Sequence, residues 1–128
     1  MNADANAINW FEIPAIELER AKDFYEGIFK INMDFMDNGE MKMYVFPMDP
    51  SSGKVSGGIA ASEFHEPAQS GGPLLYLNAN PSIDLVLKRI EENGGKILIP
   101  KTRISEDVGF MAFFRDSEGN TIGLHANG

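Results

Sequence analysis

The chain has 128 residues, enough for one compact domain with a buried core and not for two ordinary ones. It contains no cysteine, which excludes disulfides and thiolate chemistry, and its net charge of −8 argues against nucleic acid and anionic membrane surfaces while permitting a cationic ligand. No apolar run reaches the roughly 20 residues that span a bilayer, and residues 1–6 lack the basic-then-apolar pattern of a secretion signal, so the expected compartment is the cytoplasm.

Residues 8–13 read as a strand closed by Pro14. Leu18, Ala21, Phe24, Tyr25 and Ile28 then recur at helical spacing, with Glu17 and Glu19 in the first turn, where carboxylates suit the helix dipole. Residues 33–36 and 41–48 flank Asn38-Gly39, a pair that predicts a type I′ hairpin, since both central residues of that turn need positive φ. Residues 57–61 make a short strand, and the polar stretch 63–73, rich in Gly, Pro and Ser, makes a connector. Residues 74–79 read as a strand. Ser82 is a candidate N-cap for a helix whose apolar face is Ile83, Val86, Leu87 and Ile90, and Gly94 supplies its left-handed stop. Strands follow over 96–99, before Pro100, and over 109–115 and 121–125, the last two joined by a turn at 116–120.

The order strand, helix, three strands therefore occurs twice, and such a repeat governs the architecture. The expectation is an α+β fold in a single domain, 1–128, made of two βαβββ modules, 6–61 and 72–126. They form a curved mixed sheet around a cleft with the helices outside, and the cleft holds a small-molecule ligand. Exposed sheet edges predict pairing into a homodimer.

Several stretches carry a resemblance: Phe11-Glu12-Ile13-Pro14, Leu18-Glu19-Arg20-Ala21 and Phe24-Tyr25 in the first half, and Gly94-Gly95-Lys96, Pro100-Lys101-Thr102, Gly109-Phe110-Met111-Ala112 and the run from Asp116 to Leu124 in the second. In order and spacing the chain resembles the vicinal oxygen chelate superfamily of glyoxalase I, extradiol dioxygenases and bleomycin-resistance proteins, and most closely its small glyoxalase-like members of unknown substrate. The resemblance implies two βαβββ modules and a divalent metal in the cleft, held by His, Glu or Gln from strands of both modules with positions left open for substrate oxygens. It places ligands at Trp10, near Leu74, within 55–61, and at Gly123, where the family has Glu. None of these residues is a ligand, and an indole offers only a donor. The expectation is that there is no family-type metal and no other cofactor.

Strand alternation puts Glu12 on the face of Trp10 and His125 on the face of Gly123, which makes Glu12 and His125 the polar candidates of the cleft. Glu12 reads either as tied to a neighbouring strand or the loop at Pro14, or as a general base or cation partner. His125 reads either as a half-exposed near-terminal residue or as a proton-transfer group. Trp10 and Tyr76 either stack on a planar or cationic ligand or belong to the core. Gly123 leaves room for a larger ligand. Lys101 either clamps an anionic substrate at the mouth or is solvated, and His65, in the connector, reads as solvated. No Ser-His-Asp order with elbow glycines is present. Three functions are consistent with this pattern. One is a glyoxalase-like pocket protein or metal-independent lyase or isomerase. Another is a bleomycin-resistance-type module that sequesters a cationic ligand. The last is a metal-dependent lyase or dioxygenase.

Overall fold

Eight strands divide between two four-stranded mixed sheets in the computed structural model, which describes residues 1–128. The first sheet holds β1 (Trp10–Pro14), β2 (Asp34–Asp37), β3 (Lys42–Val45) and β4 (Ser56–Ala61) in the order β1-β4-β3-β2. The second holds β5 (Tyr76–Asn78), β6 (Lys96–Ser105), β7 (Gly109–Arg115) and β8 (Thr121–Ala126) in the order β5-β8-β7-β6. In each sheet the first and last strands pair parallel and the remaining pairs are antiparallel. A helix follows the first strand of each sheet: α1 (Leu18–Phe29) and α2 (Ile83–Ile90). The chain is thus an α+β fold of two βαβββ modules. No helix is long and apolar enough to cross a membrane.

Alternation along the strands decides what is buried. Ile13 and Ile59 in the first sheet, and Leu77, Ala112, Phe114, Ile122, Leu124 and Ala126 in the second, join the apolar stripes of α1 and α2 in a single core. Phe24 of α1 stacks on Phe114 of β7 at 5.9 Å, so the core is continuous across the modules. Burying each such side chain contributes about 1.5–3 kcal/mol. On the opposite face of the first sheet, Met43, Val45 and Ala60 form a smaller cluster with Trp10 against it.

Each parallel pair uses the same packing device. Phe11 stands beside Gly57 and Tyr76 beside Gly123. A Cβ at Gly57 would lie 2.6 Å from the Phe11 ring, and one at Gly123 would lie 2.9 Å from the Tyr76 ring. The room that Gly123 was expected to leave for a ligand is therefore filled by Tyr76.

Three local expectations need correction. Asn38-Gly39 does not form a two-residue turn: the loop spans four residues between β2 and β3, and only Gly39 has positive φ. The Asn38 side chain accepts from the N–H groups of Glu40 and Met41 and so builds the turn itself. β6 runs on through Pro100 to Ser105, with shifts in register against β7, because it is an edge strand and the missing N–H of Pro100 costs no ladder bond there. Ser82 has the extended backbone of an N-cap, but its side chain makes no capping bond.

The turn between β7 and β8 reaches across to the first module. Glu118 Oε1 accepts from the N–H groups of Ile16 and Glu17 at 2.9 and 2.7 Å, and Glu118 Oε2 accepts from Arg20 Nε at 2.7 Å. A carboxylate thus sits at the positive end of α1. Asn120 Nδ2 donates to the Pro14 carbonyl and the Tyr25 hydroxyl donates to Asp116, each at 2.7 Å. Burial pushes the Glu118 carboxyl up, but Arg20, the Glu17 N–H and the Ser117 hydroxyl outweigh it and leave the group below its ordinary value. Asp116, with no cation beside it, is raised by burial despite its hydrogen bonds from Asn120 and Tyr25. Burial, followed by the Asp116 charge, also holds the Tyr25 phenol well above its ordinary value.

A depressed carboxyl adds stability above its unfolded-state value and loses it as pH falls through the folded value. Glu118→Gln should therefore cost about 2–3 kcal/mol near neutral pH in denaturant unfolding. The gap to wild type should narrow as the pH drops below the usual carboxylate range; a gap that persists in acid would show that the charge of Glu118 is not what stabilises.

A candidate ligand cavity around Glu12

β1 and β5 are edge strands of different sheets, and no ladder joins them. Two cavities, of about 670 and 680 Å³, share a wall of Ile8, Phe11, Leu74 and Leu75. The first is lined by Trp10, Glu12, Pro14 and Ile122 together with the connector, including Glu66 and Gln69. The second is lined by aromatic and aliphatic groups, among them Phe29, Phe46 and Tyr76, with Asn78 at its polar side.

Glu12 is the polar centre of the first cavity. Ile13 is locked into the core, so alternation turns Glu12 to the other face, beside Trp10. The Glu12 carboxylate accepts from Trp10 Nε1 at 3.1 Å and lies 2.8 Å from His65 Nε2. The other ring nitrogen, His65 Nδ1, lies 2.6 Å from Ser62 Oγ. The His65 side chain is 9% exposed and that of Glu12 28%. His65 is thus not solvated as its place in the connector suggested. β4 runs parallel to β1 and ends at Ala61, and the turn that follows carries His65 back over Glu12. The spacing Ser62-x-x-His65 directly after a strand was the available signal, because Ser62 Oγ also accepts from Phe64 N–H and starts that turn.

The remaining candidates are placed differently. His125 lies on β8 beside Asn78 and Met111, and its Nε2 donates to the Val108 carbonyl at 2.6 Å. It lines neither of these cavities and makes no bond to Glu12, so the two are held by separate partners. Leu74 borders both cavities, and Tyr76 borders only the second, with its ring over Gly123 and its edge to Phe113. Lys101 pairs with Asp84 at 2.9 Å and lies over the Phe110 ring at 4.3 Å, away from both cavities. The aromatic-lined second cavity was not foreseen, because its wall joins residues of β1, α1 and β5 that only the packing of the modules brings together.

The profile of the glyoxalase/bleomycin resistance protein/dioxygenase superfamily matches residues 7–124. The chain belongs to that superfamily. It is 31% identical over 121 residues to a glyoxylase-like domain-containing protein of Didymella fabae, covering 89% of this chain and 88% of that one. Its fold is similar to that of a glyoxalase/bleomycin resistance protein from Albidiferax ferrireducens, with a TM-score of 0.65, 22% identity, and coverage of 94% of this chain and 98% of the other. It also matches a glyoxalase I variant from Zea mays, with a TM-score of 0.70 and 16% identity, over 93% of this chain and 45% of the maize chain.

The divalent metal common in the superfamily does not fit the residues present. Trp10 Nε1 is a donor and is committed to Glu12, the space at Gly123 is taken by Tyr76, and Leu74 offers no ligand. Nowhere do three or more His, Asp or Glu side chains converge in a metal-binding arrangement. Calorimetric titration with zinc, nickel or manganese is expected to give no stoichiometric binding at micromolar protein. One-to-one binding that Glu12→Gln abolishes would reverse the assignment.

Proposed function

We propose that this protein binds a small amphiphilic molecule whose cationic or hydrogen-bond-donating head sits against Glu12, without a family-type metal. The observation that carries this reading is a carboxylate set into a largely apolar cavity, half shielded, with its position fixed by Trp10 and His65. A carboxylate accepts in about four lone-pair directions, and these two partners use only two of them. Trp10 lines the same cavity and offers an aromatic surface to a cation, while Ile8, Leu74, Leu75 and Ile122 receive an apolar body. The net charge of −8 draws cations toward the site. This favours sequestration of a cationic ligand, as in bleomycin-resistance proteins, over lyase chemistry shared between Glu12 and His125.

We also propose that the protein works as a cytoplasmic homodimer. β2 and β6 end their sheets with unpaired edges, and Phe35 and Met36 on β2 are each more than half exposed.

Benzyltrimethylammonium should quench the fluorescence of Trp10, the only tryptophan, and Glu12→Gln should weaken that binding about tenfold, the value of one charge-assisted contact. The melting temperature should stay close to that of wild type. Equal binding of an uncharged isostere, or no effect of the substitution, would refute the reading. Sedimentation at micromolar concentrations should give a dimer, and monomer throughout would refute the pairing.

A further inference from the structure

The hydrogen bonds at Glu12 continue outward, and their direction can be worked out donor by donor. Trp10 Nε1 can only donate, and the Glu12 carboxylate accepts it. The second Glu12 oxygen faces His65 Nε2, so that nitrogen carries the proton. In the neutral ring Nδ1 is then an acceptor, and the Ser62 hydroxyl 2.6 Å away donates to it. Ser62 Oγ in turn accepts from Phe64 N–H. A hydroxyl, an imidazole and a carboxylate therefore stand in series, with the hydroxyl hydrogen on the base and the opposite ring nitrogen held by the acid. A serine nucleophile in a hydroxyl–imidazole–carboxylate set is activated in this way, and such a set is recognised by geometry rather than by chain order. Here the order is Glu12, Ser62, His65, and the ring is used in the opposite sense, with the serine on Nδ1.

We propose that Ser62 is a nucleophile for acyl transfer from small activated esters, with His65 as its base and Glu12 as the residue that positions His65. This goes beyond the cavity reading and does not depend on it, because Ser62 lines neither cavity and lies at the opposite edge of the imidazole. Two further features suit the step. The N–H of Glu63, the residue after the nucleophile, donates to no backbone carbonyl and is free to meet an oxyanion. Phe64, 85% exposed, offers an apolar surface beside Ser62 for the acyl or leaving group.

In the first half-reaction Ser62 Oγ bonds to the carbonyl carbon while its proton passes to His65 Nδ1. The bond from that carbon to the leaving oxygen then breaks, and the leaving group takes the proton from His65. Water cleaves the resulting Ser62 ester by the same route, giving the carboxylic acid and restoring the hydroxyl. The imidazolium formed in each half faces the Glu12 carboxylate, which stabilises it.

The test is p-nitrophenyl acetate with the full chain, followed by nitrophenol release, intact mass and peptide mapping. One acetyl group on Ser62 is expected, and Ser62→Ala should remove it. His65→Gln should slow acylation at least about a hundredfold. Glu12→Gln should lower the maximal acylation rate about tenfold or more and leave the half-saturating ester concentration unchanged, a split that simple loss of stability does not produce. Urea-unfolded wild type should lose the reactivity, which keeps the test decisive if His65→Gln fails to fold. Acetyl groups on lysines or the N-terminus with none on Ser62, or an undiminished rate in His65→Gln, would overturn the proposal. Quenching of Trp10 by benzyltrimethylammonium in Ser62→Ala reports on the cavity independently.

Discussion

Two modules that each bury one face of a sheet can be pressed together in many ways, since apolar contact is nearly indifferent to direction. In this protein the direction comes from the carboxylate of Glu118. It leaves the β7–β8 turn of the second module, enters the first, and takes up two backbone N–H groups and an arginine at the start of α1. Asn120, two residues on, holds the carbonyl at the end of β1. These bonds set where β1 stops and where α1 begins relative to β8. That placement sets how β1 faces residues 74 and 75, just before β5, which with Ile8 and Phe11 wall both cavities. Within the turn the two carboxyls differ: Arg20, the Glu17 N–H and Ser117 outweigh burial at Glu118, whereas burial prevails at Asp116 over its bonds from Asn120 and Tyr25.

What could be read from the sequence was what depends on near neighbours. The stripes Leu18–Ile28 and Ile83–Ile90 have helical period, and helices stand where those stripes are. The repeated order of elements told the fold class. The run 116–120 was legible as a turn, but nothing local shows that its acid and amide side chains bind the other module. Asn38-Gly39 misled because the Asn side chain could bond two later N–H groups and stabilise a longer loop. Pro100 misled because whether a proline ends a strand depends on whether that strand has a neighbour on its N–H side.

The candidate site divides along the same line. Trp10 and Glu12 share a face because they are two apart on one strand, and their hydrogen bond is what that spacing allows. His125 was matched to Glu12 by applying the same alternation to the other module. Alternation tells which residues share a face within a sheet; it says nothing about how two sheets are turned toward each other. The partner Glu12 does have, His65, comes from a connector without periodicity, and only the return of that connector over β1 puts it there.

The glycine at position 123 carries a consequence for how this chain can change. The resemblance to the superfamily implies a ligating glutamate at this position. Here the ring of Tyr76 rests where that side chain would begin, packed edge to face with Phe113. A glutamate placed there would displace Tyr76 and disturb the parallel pair it belongs to. The space over Gly123 is thus closed by the packing of Tyr76. Room for a longer side chain at 123 would need a smaller residue at 76, and that change alone would leave a gap beside β8.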